Sequence, residues 1–90
     1  MTIFFINAIK GDEKLAEAID GCEKIDALMV KPGQWFVSFK GTSQQLSDLL
    51  GITKGETESA IVLAVSGYYG RASTSIWEWL KANWEGDYGP

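Results

Sequence analysis

Ser59–Trp84 reads SAIVLAVSGYYGRASTSIWEWLKANW. The stretch joins the most apolar strand-length run in the chain to a glycine-bracketed aromatic loop and a segment holding three of the four tryptophans. Ala60 to Val65 is continuous, apolar and rich in β-branched residues, the pattern of a strand buried on both faces. Ser73, Thr74 or Ser75 can cap a following helix, since a hydroxyl there accepts from free N–H groups of the first turn. Within that helix Ile76, Trp77, Leu80 and Trp84 recur at three- and four-residue steps and share a face. Trp79 falls off its centre, which predicts partial exposure or an interface. Gly86 suits the helix stop.

Between strand and helix lies Gly67-Tyr68-Tyr69-Gly70-Arg71. Two aromatic rings beside a guanidinium suit a recognition loop that stacks on a base or anchors a protein partner. The same residues also suit a tight loop whose glycines take positive φ and whose tyrosines cover the sheet end. Tyr68, Tyr69, Arg71 and Trp79 are therefore the candidate partner-binding residues.

Working backwards, Ile3 to Ile9 is a first strand, again apolar on both faces and so central. Asp12 is placed to cap a helix over Glu13 to Asp20, and Gly21 to stop it. Ile25–Val30 and Trp35–Lys40 form two strands around Lys31-Pro32-Gly33-Gln34. There proline presets φ at the second position and glycine accepts positive φ at the third, as a type II turn requires. Thr42-Ser43-Gln44-Gln45 fits a capping box opening a helix that buries Leu46, Leu49 and Leu50. Gly51 followed by Ile52 suits a Schellman ending. Thr53 to Glu58 reads as a polar, mobile loop, and Glu85 to Pro90 as a frayed tail.

The order strand, helix, strand, strand, helix, strand, helix predicts an α+β chain of one domain over residues 1–90. The expected arrangement is a ferredoxin-like βαββαβ with an additional C-terminal helix packed on the sheet. Strands one and three are then central, and two and four are edges. An apolar fourth strand is too hydrophobic for a bare edge, so cover is expected from the C-terminal helix or a second subunit. That argues for a homodimer.

Composition narrows function mostly by exclusion. The chain has no histidine, which removes the commonest general base and the commonest transition-metal ligand together. Cys22 is the only cysteine, so no internal disulfide forms, and it reads as a small buried apolar residue. Twelve acids against eight bases give a net charge of −4, which argues against a nucleic-acid partner. No apolar run approaches the roughly 20 residues of a membrane helix, and Thr2 to Ile9 lacks a basic leader, so a cytoplasmic protein is expected.

The carboxylates group as Asp12/Glu13/Glu17, Asp20/Glu23/Asp26, Glu56/Glu58 and Glu85/Asp87, beside caps and loops where solvated faces are the rule. Gly51 to Gly55 follows a helix and lacks the Gly-Lys-Ser/Thr ending of a phosphate loop. No catalytic residue, metal ligand or cofactor site is indicated.

The WFVSF hairpin strand, the TSQQLSDLL helix and the SGYYGR…WEWLK ending resemble small SinR-like proteins, relatives of the small ferredoxin-like subunit of CRISPR adaptation complexes. The resemblance implies a dimer and, in some relatives, a metal-dependent nuclease using an aspartate at the end of the first strand. The matching position here is Asn7, which offers a neutral oxygen and no charge to hold Mg²⁺. The reading is a non-catalytic interaction domain, a homodimer that binds another protein. The alternative is a metal-dependent nuclease-like protein, active or degenerate.

Overall fold

A computed structural model describes residues 2–57 and 59–84. Its elements are β1 (Thr2–Lys10), α1 (Glu13–Asp20), β2 (Asp26–Lys31), β3 (Gln34–Phe39), α2 (Ser43–Leu49), β4 (Ser59–Ala64) and α3 (Thr74–Asn83). Strand bounds fall within one residue of those expected. Four strands form one antiparallel sheet in the order β2-β3-β1-β4, giving a small α+β structure with three helices. β1 and β3 lie inside, and β2 and β4 are edges.

Alternation along the strands sorts side chains onto two faces. On the inner face Phe4, Ile6, Trp35, Val37 and Phe39 meet Leu15 and Ile19 of α1, Leu46 of α2, and Leu50 and Ile52 just beyond it. Burying these side chains from water supplies most of the drive to fold, at roughly 1.5–3 kcal/mol for each large one. On the outer face Ile3, Ser38 and Leu80 of α3 are buried. There Phe5 packs on Phe36 with ring centroids 5.2 Å apart, and Phe36 stacks on Trp79 at 6.4 Å.

Local signals set several boundaries. The capping box opening α2 is complete: Gln45 N–H donates to Thr42 Oγ1, and Thr42 N–H donates to Gln45 Oε1. Gly51, at φ +75°, closes it as a Schellman motif, with Ile52 N–H donating to the Ser47 carbonyl and Gly51 N–H to that of Asp48. Gly33, at φ +88°, sits third in the β2–β3 turn, where a side chain would be strained.

Four expectations need correction. Leu49 is exposed, because a two-turn helix presents only a narrow arc to the sheet and Leu46 and Leu50 fill it. Asp12 precedes α1 without a side-chain cap bond, although Gly21 ends that helix where expected, at φ −86° and with its N–H bonded back to Glu17. The loop after α2 is tied down: Thr53 Oγ1 donates to Asp48 Oδ1 at 2.6 Å, and Thr57 Oγ1 donates to the Leu50 carbonyl. Finally, β4 is not buried on both faces. Ile61 and Leu63 are 49% and 53% exposed, because α3 lies against the β2 side of the sheet and does not reach them. Gly86, Glu58 and the 85–90 tail lie outside the described residues.

Candidate functional site

The segment 65–73 leaves the sheet after β4 and returns as α3. Trp84, the cap residue of α3, lies seven positions after Trp77, two helical turns, so both rings reach the same side of α3. Tyr68 fills the space between them. It stacks on Trp77 at 5.6 Å with 25° between planes, and meets Trp84 edge-on at 4.9 Å. Offset and edge-to-face arrangements let the positive ring edge meet a negative ring face, adding roughly 0.5–1.5 kcal/mol to the area each pair buries. The Trp84 indole N–H is buried and finds no acceptor among the described residues.

Tyr69 does the opposite. It is 92% exposed, the next residue after a ring held on two sides. A shallow cleft of about 260 Å³ opens beside it, lined by Tyr68, Tyr69, Gly70, Trp77 and Lys81. Arg71, two residues after Tyr69, is exposed. Neither Lys81 nor Arg71 forms an ion pair among the described residues, and Lys81 stands against the aromatic walls of the cleft in a chain of net charge −4.

The four residues singled out by sequence therefore divide. Tyr68, Tyr69 and Arg71 belong to one loop, with Tyr68 as its internal brace. Trp79 is half-buried on the sheet side of α3, stacked on Phe36, and does not line the cleft. Trp77 and Lys81 complete the cleft and were not singled out. Their spacing of four residues, one helical turn, is the signal that places them together.

Asn7 sits on the outer face between Gln34 of β3 and Ile61 of β4. Its Oδ1 accepts from Gln34 Nε2 at 3.1 Å. No group of three or more carboxylate or cysteine side chains comes together to hold a metal among the described residues. A second, polar cleft is lined by Asp48, Gly51, Thr53, Lys54 and Glu56. Its hydrogen bonds are those that fold the loop after α2, including Ser47 Oγ to Thr53 Oγ1 at 2.8 Å. Among the described residues no helix is long and apolar enough to cross a membrane.

The chain matches no family model, no characterised protein and no solved structure.

Proposed function

We propose that the chain is a non-catalytic interaction domain, a homodimer that binds a protein partner through the loop Tyr68–Arg71 and the neighbouring face of α3. The observation that carries this reading is the contrast between Tyr68 and Tyr69. Tyr68 is clamped by two tryptophans, so the loop that presents Tyr69 is braced before any partner arrives. An exposed ring on a braced loop loses little conformational entropy on binding, and tyrosine is a frequent anchor of interface energy. Lys81 and Arg71 favour a partner segment carrying carboxylates. Trp79 acts from beneath, holding α3 on the sheet through Phe36.

The finer fold reading is ferredoxin-like with α3 added. It is supported by α1 and α2 sharing the inner face and by the placement of β1 and β3 between the two edge strands.

Wild type and Tyr69→Ala, immobilised in parallel, test the binding site by quantitative comparison of what each retains from a cell extract. A protein retained by wild type and reduced at least tenfold by Tyr69→Ala supports the loop; identical retention by both overturns it. Incubation with RNA and DNA in Mg²⁺ or Mn²⁺ tests the absence of catalysis. Cleavage that disappears in Asn7→Ala would replace this reading with a nuclease.

A further inference from the structure

We propose that two copies of the chain join edge to edge through β4, antiparallel about a two-fold axis at Val62, into one eight-stranded sheet. This rests on the homodimer of the preceding reading but not on the aromatic loop.

The hydrogen-bond phase of the sheet decides which backbone groups of β4 are open. Val65 N–H donates to the Ile3 carbonyl at 2.8 Å. In an antiparallel ladder bonded and non-bonded pairs alternate, and the register runs Phe4↔Ala64, Phe5↔Leu63, Ile6↔Val62, Asn7↔Ile61. Ile61, Leu63 and Val65 thus spend their backbone groups on β1. The other side of β1 agrees: Ala8 N–H donates to the Gly33 carbonyl at 2.7 Å, so Ala8, Ile6 and Phe4 face β3. Among the described residues, what remains on β4 is the N–H and C=O of Ala60, Val62 and Ala64, all pointing outward from the sheet edge.

A second copy turned about Val62 meets this edge with the same three residues. Val62 faces its own mate, Ala60 faces Ala64 of the second copy, and Ala64 faces Ala60. All six open N–H groups then find carbonyls. Between these bonded pairs Ile61 comes opposite Leu63 of the second copy, in the closer, non-bonded pairing where side chains touch. The half-exposed Ile61 and Leu63 of each copy cover one another on the outer face, and only alanine and valine meet on the inner face.

Charge selects a copy of the same chain for this role. Ser59 to Gly70 is the longest run in the sequence without a charged residue, so two chains of net charge −4 approach there with least repulsion. The other edge is unsuited. β2 has Asp26 at one end and Lys31 at the other, Pro32 beyond, and a break in register between Met29 and Lys31. Charges, proline and bulges are the devices that keep an edge unpaired. Pairing β4 with β4 closes the assembly at two copies, whereas pairing β4 with β2 would propagate.

The test combines solution mass with cysteine pairs in a Cys22→Ala background. Wild type should have the mass of a dimer by light scattering at micromolar concentration. Chains bearing Ile61→Cys, mixed with chains bearing Leu63→Cys and mildly oxidised, should cross-link, since non-bonded partners lie about 4.5 Å apart at Cα. Either variant alone should not. Val62→Pro removes an N–H that β1 does not use and should halve the mass with the circular dichroism of the sheet retained. A wild-type monomer overturns this inference and the homodimer reading together. A dimer that cross-links no better in the mixture, or that survives Val62→Pro with native dichroism, overturns the β4 edge alone and moves the dimer elsewhere. Should Val62→Pro unfold, the cysteine mixture decides.

Discussion

The two faces of the sheet are built from similar residues and end in different states. On the inner face every large side chain of β1 and β3 is buried, because α1 and α2 lie in crossovers that each pass over one of these two central strands. On the outer face one helix must serve four strands. α3 covers the β2–β3 side through Leu80 and the ring series Trp79, Phe36, Phe5, and its cover stops there. Beyond Phe5 lie Leu63, Ile61 and Ile9, the last 59% exposed. Apolar content alone does not bury a strand; the number and landing place of helices does.

Substitutions should separate the two faces, with stability measured by denaturant unfolding followed by circular dichroism at concentrations low enough to keep copies apart. Leu46→Ala, on the inner face, should cost about 2–5 kcal/mol, since a fully buried leucine leaves a cavity. A loss under about 1 kcal/mol would deny that this face is the shared core. Trp79→Ala, on the covered half of the outer face, should cost about 2 kcal/mol, less than a fully buried ring because the residue is half-buried. A loss equal to that of Leu46→Ala would make the outer face an equal second core.

Gln45→Ala touches neither face and removes only half of the capping box of α2. The expected loss is about 1 kcal/mol, read as a lower unfolding midpoint with unchanged slope. Leu63→Ser, on the open half, should change stability by no more than about 0.5 kcal/mol. A loss beyond 2 kcal/mol there would mean that the outer face is closed within one chain.

The features legible in the sequence are those whose partners lie a few residues away. Thr42 and Gln45 cap each other across three residues, Pro32 and Gly33 fix a turn by their own φ preferences, and Gly51 closes α2 onto Ser47 and Asp48. The central place of β1 was also legible, from its apolar residues on both sides. The same rule misled for β4, since an apolar strand looks identical whether a helix covers it or water does. The aromatic loop was half legible. Gly67–Arg71 stood out by composition, but that Tyr68 would be clamped by Trp77 and Trp84 while Tyr69 stood free depends on how segment 65–73 folds back.

The helices, the strands and the β2–β3 turn were settled locally, because periodicity, caps and backbone preferences act within one or two turns of chain. Which half of the outer face α3 covers, which of the two tyrosines is exposed, and which backbone groups of β4 are not used by β1 were settled by packing in three dimensions. Those outcomes depend on register and on where a helix lands after a loop. Both are fixed by packing between residues distant in the chain.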